Sequence, residues 1–138
     1  MEEKNGLALA RILLVEDDPD VQPLLEHILV TEGHHVAVAA SMAVAASLLG
    51  AQPFDLVICD VNLPDGSGLR IADQAIALGV KPLVLSGQGL SREAGGLAPY
   101  DYLLKPVRIR ELADAIRRCL GEESGGSRIV QFPKNPAG

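Results

Sequence analysis

Residues 54–59 read FDLVIC and are followed directly by Asp60. A short apolar run of this kind predicts a strand that is buried on both faces of a parallel sheet. Similar runs predict four further strands, at 11–15 (RILLV), 35–39, 82–85 and 100–104. Segments with helical periodicity separate most of them, at about 20–31, 41–49, 69–78 and 108–120. Five strands with mostly helical crossovers predict an α/β fold in which helices cover both faces of a parallel sheet.

The predicted helices have recognisable ends. Pro23 fits the first turn of the first helix, Gly33 fits its end, and Ser41 fits the N-cap of the second helix. Gly121 ends the last helix. The periodicity of that helix predicts one apolar face, formed by Ile109, Leu112, Ala113, Ile116 and Leu120.

Length and composition predict one domain with extensions at both ends. The chain has 138 residues, of which 48% are hydrophobic, enough for one buried core. We expect an N-terminal extension over 1–10 and a folded domain over 11–121. The composition then changes to EESGGS, so we expect a flexible C-terminal tail over 122–138.

Charge and cysteine content exclude several classes of function. The net charge of −6 argues against binding to nucleic acid or to anionic membranes. No stretch has the ~20 apolar residues of a membrane span, and residues 1–10 do not resemble a signal peptide. Cys59 and Cys119 lack metal-type spacing and are interpreted as buried thiols in a reducing compartment. The sequence therefore predicts a cytoplasmic protein.

Polar residues follow four of the predicted strands at the point where each strand ends. Glu16, Asp17 and Asp18 follow the first strand, Asp60 the third, Ser86 the fourth and Lys105 the fifth. The carboxyl ends of parallel strands meet at one edge, where such folds bind ligands. Oxygen ligands with no histidine or cysteine nearby favour Mg²⁺ over Zn²⁺. A carboxylate is also a nucleophile toward phosphorus, and a lysine and a metal balance the phosphoryl charge.

Each of these residues taken alone is weak evidence, but four blocks that contain them resemble a known family. The blocks ILLVEDD, CDVNLPDGSG, VLSG and YLLKP occur in this order and are similar to the signature blocks of response-regulator receiver domains. The resemblance runs from about 11 to 121, nearly the whole predicted domain. It implies a flavodoxin-like, doubly wound, five-stranded parallel sheet with strand order 2-1-3-4-5.

The resemblance also implies roles for particular residues. Asp60 matches the phosphoacceptor, and Ser86 and Lys105 match the residues that meet the phosphoryl oxygens. Mg²⁺ is then expected on the carboxylates of Asp17 and Asp60 and the backbone carbonyl of Asn62, with Glu16 acting mainly through water. Tyr102 matches an aromatic switch residue, and the alternative interpretation is an aromatic packed on a helix.

Three further expectations complete this site. The Lys105–Pro106 bond matches a family bond that is commonly cis. Asp18 falls outside the acidic pair and is expected to be solvated or to cap a helix. The three histidines match no site of the family and are interpreted as structural or exposed; they are His27, His34 and His35.

Two segments depart from the family pattern. The first, between Asp60 and Ser86, is slightly shorter than usual, so the third helix is expected to be short. In the second, only 18 residues separate Ser86 from Lys105, and they include four glycines and Pro99. Glycine and proline disfavour a helix interior. The fourth helix of the family is therefore expected to be short or missing, with 87–99 forming a mobile loop or at most two helical turns. This also predicts that a symmetric dimer on that face is disfavoured.

The function implied is a phosphorylation-switched signalling module rather than an enzyme, with at most self-phosphorylation and autodephosphorylation. A histidine kinase or a histidine phosphotransfer protein would supply the phosphoryl group, and an unidentified downstream protein would receive the signal. Two alternatives stay open. One is a phosphorylation-independent adaptor. The other is a Mg²⁺-dependent phosphohydrolase, although Asn62 stands where such enzymes place a second acid and the chain has no room for a substrate cap.

Overall fold

The computed structural model describes residues 10–87 and 100–121, and its centre is a five-stranded parallel sheet. The sheet strands are β1 (Arg11–Val15), β2 (His35–Ala39), β3 (Leu56–Asp60), β6 (Lys81–Ser86) and β7 (Asp101–Leu104). A small separate hairpin is formed by β4 (Asn62–Leu63) and β5 (Gly66–Ser67). The helices are α1 (Val21–Thr31), α2 (Met42–Ala51), α3 (Leu69–Ala77) and α4 (Ile109–Leu120).

The strand order in the sheet is β2-β1-β3-β6-β7, with every pair parallel. This confirms the predicted flavodoxin-like order 2-1-3-4-5. The predicted short or missing helix falls on 88–99, which lies outside the described residues. The same holds for residues 1–9 of the N-terminal extension and for the tail over 122–138.

The register of the strands decides which residues meet at the carboxyl edge of the sheet. Val15 lies opposite Cys59, so the residues that follow each of them, Glu16 and Asp60, leave the sheet side by side. Asp60 in turn lies opposite Leu85 of β6, directly before Ser86. Three of the predicted site residues therefore lie at one edge because hydrogen-bonded strands run only about 5 Å apart.

Two apolar layers hold the sheet, because successive side chains of each strand point to opposite faces. One layer combines strand residues such as Leu13 and Val57 with residues of α2 and α3. The other combines Ile12 and Ile58 with residues of α1 and α4. Full burial of a leucine or isoleucine contributes about 1.5–3 kcal/mol, so these layers provide the rigid frame on which the edge residues are mounted.

The helix ends agree with the predictions in three places. Gly33 and Gly121 adopt left-handed backbone conformations after α1 and α4, with φ of 99° and 73°. The Ser41 Oγ accepts a hydrogen bond from the Val44 N–H at 3.3 Å and so caps α2. The Asp18 Oδ1 accepts hydrogen bonds from the Asp20 and Val21 N–H groups, at 2.8 and 3.3 Å. Asp18 therefore caps the beginning of α1, one of the two roles expected for it.

The apolar face predicted for α4 was wrong in its orientation. Leu112 and Ile116 are buried as predicted, but the buried stripe also takes in Ala115 and Cys119. With 100° per residue, Ile109 lies roughly 60° from the centre of that stripe. Ile109 is accordingly 60% exposed. The small side chains of Ala115 and Cys119 also face the sheet. The prediction missed them because it relied on the spacing of the large apolar residues.

Both cysteines, Cys59 and Cys119, are buried free thiols, as predicted. Burial raises the pKa of each thiol to about 12. Burial therefore favours the protonated thiol at both positions. Within the described residues, no helix has both the length and the apolar character that crossing a membrane requires.

Candidate functional site

Three carboxylates meet at the carboxyl edge of the sheet. Each of Glu16, Asp17 and Asp60 offers an oxygen, and these oxygens lie within 4.8 Å of one another. Glu16 and Asp60 are only 1% and 6% exposed, whereas Asp17 is exposed to solvent. Like charges held this close repel unless a cation balances them. The site therefore contains two buried carboxylates, and its third carboxylate, that of Asp17, is open to solvent.

Lys105 supplies the positive charge beside this cluster. Its Nζ lies 2.9 Å from Oδ2 of Asp60 and 3.0 Å from Oε1 of Glu16. The Lys105 N–H donates to the Ser86 carbonyl at 2.8 Å, which fixes the backbone one residue beyond β7. The Lys105–Pro106 bond that follows is cis, as the resemblance implied. Partial burial disfavours the ammonium, but the hydrogen bond to Asp60 and the close carboxylate of Glu16 outweigh this effect, and the pKa of Lys105 is raised.

Glu16 is the most deeply buried of the three acids. Burial raises the pKa of its carboxyl, against the opposing effect of Lys105, and the neighbouring charge of Asp60 raises it further. Its Oε2 accepts a hydrogen bond from the Asp18 N–H at 3.2 Å. Among the described residues, its Oε1 has no hydrogen bond of good geometry, although Nζ of Lys105 is close.

This donor set fits a hard divalent cation. All three side chains offer oxygen, and the ligating group contains no histidine or cysteine. Mg²⁺ takes one or two carboxylates and keeps several waters, which the exposed position of Asp17 permits. The incompletely satisfied oxygen of Glu16 is a natural acceptor for such a water. On the chemistry of the residues present, the predicted Mg²⁺ is compatible with the site.

Ser86 and Tyr102 flank the cluster on the neighbouring strands. Ser86 is fully buried at the end of β6, and its Oγ donates to the Gly87 carbonyl at 3.2 Å. Tyr102 of β7 lies opposite Val84 of β6. Its side chain is half-buried against the apolar layer that includes residues of α2 and α3. The structure thus places both residues on strands next to the site.

The loop after Asp60 is folded back onto it. The Asn62 N–H donates to Oδ1 of Asp60 at 3.3 Å. The Gly68 N–H donates to the Val61 carbonyl at 2.7 Å, which closes the loop before α3. A Cβ on Gly68 would lie 1.9 Å from the carbonyl oxygen of Asp60. No other residue fits at Gly68 without moving the backbone of Asp60.

The importance of Gly68 was missed by the sequence analysis. The only signal in the sequence was the GSG triplet at 66–68, in the short loop between the third predicted strand and the helix that follows it. A second residue of this loop was also missed: Asp65 accepts hydrogen bonds from the Met42 and Ala43 N–H groups of α2, at 2.8 and 3.1 Å. These bonds, led by the one from Met42, lower the pKa of Asp65.

The three histidines lie away from the acidic cluster, as expected. His27 and His35 are exposed. His34 is buried, and its Nδ1 accepts a hydrogen bond from the Ala10 N–H at 3.2 Å. Their interpretation as structural or exposed residues is confirmed.

An apolar groove adjoins the site on the side of α1. It has a volume of about 460 Å³ and is bounded by α1, the end of β6 and the residues that follow β7. Among the described residues that line it, Lys105 is the one that carries a charge, and Leu24 is 56% exposed.

Comparison with known proteins identifies a family. The family model described as "Response regulator receiver domain" matches residues 12–117. The TorCAD operon transcriptional regulatory protein TorR of Escherichia coli O157:H7 is 33% identical over 113 residues. That alignment covers 79% of this chain and 49% of TorR, so the chain spans about half the length of this relative.

Two solved structures are similar in fold and sequence. The receiver domain of the sensor histidine kinase PA1611 of Pseudomonas aeruginosa has a TM-score of 0.71 and 31% identity, covering 81% of this chain and 98% of that one. It contains a magnesium ion coordinated in its active site cleft. The response regulator TrrA of Thermotoga maritima, solved with Mg²⁺-BeF, has a TM-score of 0.71 and 27% identity, covering 80% and 99%.

Proposed function

The chain belongs to the response-regulator receiver domain family, and from this we propose that it is a signalling module switched by phosphorylation of Asp60. The observation that supports this best is the position of Lys105, whose Nζ lies within 3.0 Å of both Asp60 and Glu16. An ordinary surface lysine has no such pair of buried carboxylates. Members of this family act as signalling modules rather than as metabolic enzymes.

The proposed reaction is a phosphoryl transfer to the carboxylate of Asp60. An Asp60 oxygen attacks the phosphorus of a phosphorylated histidine on the partner, forming a P–O bond as the P–N bond breaks. The electron pair of the broken bond stays on the imidazole, which leaves. Later attack by water on the phosphorus returns the carboxylate and releases inorganic phosphate.

The metal in this proposal is Mg²⁺. Asp17, Asp60 and the backbone carbonyl of Asn62 would hold it, with Glu16 acting through water. When bound, Mg²⁺ neutralises charge on the phosphoryl oxygens. Lys105 adds a fixed charge that needs no rearrangement, because its Nζ already lies against Asp60.

Three residues are assigned to the response. Lys105 pairs with a phosphoryl oxygen, and the Ser86 hydroxyl turns from the Gly87 carbonyl toward the phosphoryl group. Tyr102 then moves into the space that Ser86 leaves. This assignment is supported by the burial of Ser86 and by the half-buried packing of Tyr102 on the next strand.

The proposed partners are a histidine kinase or histidine phosphotransfer protein as donor and an unidentified protein as receiver of the signal. The apolar groove beside Lys105 supports docking of the donor next to Asp60. Two buried free thiols suit a reducing compartment, so we place this activity in the cytoplasm.

The test is to incubate the protein with Mg²⁺ and a small acyl phosphate and to weigh it intact. We expect one adduct of roughly 80 Da that is absent when Mg²⁺ is withheld. Asp60→Asn should abolish it. Asp114→Asn is the matched control, because Asp114 is an exposed aspartate of α4 that pairs with Arg117.

Two outcomes would contradict the proposal. An adduct that persists in Asp60→Asn would place the phosphoacceptor elsewhere. A wild-type protein that binds Mg²⁺ but takes up no phosphoryl group from a small donor or from a phosphorylated histidine protein would instead favour the phosphorylation-independent adaptor.

A further inference from the structure

The hairpin that follows Asp60 is attached to a different helix from the one it leads into. The chain runs from Asp60 through β4, turns at Pro64 and Asp65, and returns through β5 to α3. At the turn, Oδ1 and Oδ2 of Asp65 accept the N–H groups of Met42 and Ala43, at 2.8 and 3.1 Å. One carboxylate thus connects the loop of the site to the beginning of α2.

Two residues, Asp65 and Ser41, cap the first three amides of α2, and the Ala45 amide makes the first hydrogen bond within the helix. Asp65 takes the Met42 and Ala43 N–H groups. Ser41 takes the Val44 N–H through its Oγ and the Ala45 N–H through its carbonyl, at 3.3 and 3.0 Å. The first helical amides have no partner within a helix, so each cap replaces a bond that would otherwise go to water. Only the Asp65 cap reaches across from the site loop.

The hairpin has little freedom once its tip is held. At its base, the Asn62 N–H contacts Oδ1 of Asp60 at 3.3 Å, and Gly68 is seated against the Asp60 carbonyl. At its tip, a Cβ on Gly66 would lie 2.6 Å from Sδ of Met42, so the hairpin also touches α2 directly. Asn62 therefore lies between two fixed points.

We propose that Asp65 is a positioning residue that, by holding the hairpin on α2, sets where Asn62 presents its backbone carbonyl beside Asp60. This inference rests on the proposed function, in which that carbonyl binds Mg²⁺. Groups that orient metal ligands commonly change metal affinity by 10–100-fold when they are removed. By linkage, Mg²⁺ at the site must stabilise the Asp65 cap to the same extent that the cap favours Mg²⁺.

The first experiment compares Mg²⁺ titrations of wild type, Asp65→Ala, Asp65→Asn and Ser41→Ala, followed by amide NMR shifts. Asp65→Ala should raise the half-saturating Mg²⁺ concentration by roughly tenfold, and Asp65→Asn, which keeps one acceptor oxygen, by less. Ser41→Ala is the matched control, because it removes a cap of the same helix without touching the hairpin. It should leave the Mg²⁺ midpoint unchanged.

The second experiment needs no variant and measures amide exchange of wild type with and without Mg²⁺. Protection of the Met42 and Ala43 amides should increase with Mg²⁺, whereas the Val44 amide, capped by Ser41, should change much less. If the Asp65 cap were purely structural, each of the three amides would exchange at the same rate with and without Mg²⁺.

The outcomes separate this inference from the proposed function. Equal Mg²⁺ midpoints in wild type and Asp65→Ala, or unchanged Met42 and Ala43 exchange, would overturn the inference while Asp60 phosphorylation still stood. Equal weakening in Ser41→Ala would overturn it too, because the effect would then belong to α2 alone. A wild type that neither binds Mg²⁺ nor accepts a phosphoryl group would overturn both.

Discussion

At the carboxyl end of the sheet, Glu16 and Asp60 both face the ammonium of Lys105, whereas at the amino end Asp55 and His34 face main-chain amides. The two ends belong to the same strands and use similar residue types. At the carboxyl end, side chains balance one another, so the balance changes whenever a proton, a metal or a phosphoryl group arrives. At the amino end, Asp55 and His34 each accept a hydrogen bond from a fixed main-chain N–H group.

The contacts at the amino end are local supports of the fold. Oδ2 of Asp55 accepts the Arg11 N–H at 2.8 Å, and the Asp55 N–H donates to the Arg11 carbonyl at 2.8 Å. Nδ1 of His34 accepts the Ala10 N–H at 3.2 Å. A buried or edge amide without a partner is costly, which explains these side chains without any chemistry. Matched substitutions at the two ends of the sheet should therefore have different kinds of effect.

The largest difference is expected between Lys105→Ala and Lys81→Ala. Lys81 begins β6 at the amino end and is exposed, whereas Lys105 is the cation beside the phosphoacceptor. Lys105→Ala should abolish the NMR shifts of Ser86 and Tyr102 that a small acyl phosphate induces in wild type. The fold should remain intact by circular dichroism.

Lys81→Ala should keep that response in full. Loss of the shifts in both variants would mean that general charge matters rather than position. Persistence of the shifts in Lys105→Ala would remove Lys105 from the mechanism.

A smaller effect is expected for Asp17→Asn. It removes a charged, solvent-facing oxygen from the predicted metal site, so half-saturation with Mg²⁺ should need at least about ten times more metal, about 1.4 kcal/mol. Phosphorylation should weaken with it. Asp20→Asn is the control, since Asp20 is also exposed, lies three residues away, and makes no capping bond with its side chain. Identical titrations of Asp17→Asn and wild type would contradict the assignment.

The same acid-to-amide change should have opposite signs at the two ends. Burial raises the pKa of Glu16, so its stabilising contribution is present below the ordinary glutamate pKa and is lost as the pH rises through the raised value. At pH 7 without Mg²⁺, Glu16→Gln should increase the free energy of unfolding, because the buried amide carries no charge. Asp55→Asn should decrease it by about 1 kcal/mol, because a charged acceptor of the Arg11 N–H is lost.

Urea unfolding of the two variants at pH 7 measures this sign difference directly. Changes of the same sign would show that the carboxyl end is as well satisfied as the amino end. Repeating the measurement with Mg²⁺ should shrink or reverse the gain from Glu16→Gln, because the metal stabilises the charged cluster of the wild type.

Much of this edge could be predicted from the sequence because strand periodicity fixes which residues end each strand. Glu16, Asp60 and Lys105 meet in the structure because parallel register brings strand ends together, and that rule needs no knowledge of loops. The family resemblance then supplied the roles proposed for Ser86 and Tyr102, which periodicity does not contain.

The features that were missed depend on contacts between distant segments. Asp65 caps the amides of Met42 and Ala43, which precede it by 23 and 22 positions in the sequence. No local pattern in either segment indicates these contacts. The seating of Gly68 depends on the path of the loop in space, down to the position of one carbonyl oxygen. The orientation of α4 was misjudged because Ala115 and Cys119 pack closely where larger residues were expected.

The smallest effect is expected at His34, at the amino end of the sheet, when the pH is lowered. Burial lowers the pKa of His34, so the fold favours its neutral form, whose Nδ1 accepts the Ala10 N–H. The associated stability is present above the ordinary histidine pKa of about 6.5 and is lost as the pH falls through the lowered value. We therefore expect the free energy of unfolding to fall as the pH is lowered from about 7.5 to about 5. His34→Gln should reduce that loss, since the glutamine does not titrate, whereas His27→Gln, at an exposed position of α1, should leave it unchanged. Urea midpoints of the three proteins at both pH values provide the measurement. The same loss in wild type and His34→Gln would assign the acid sensitivity to the carboxylates at the other end of the sheet.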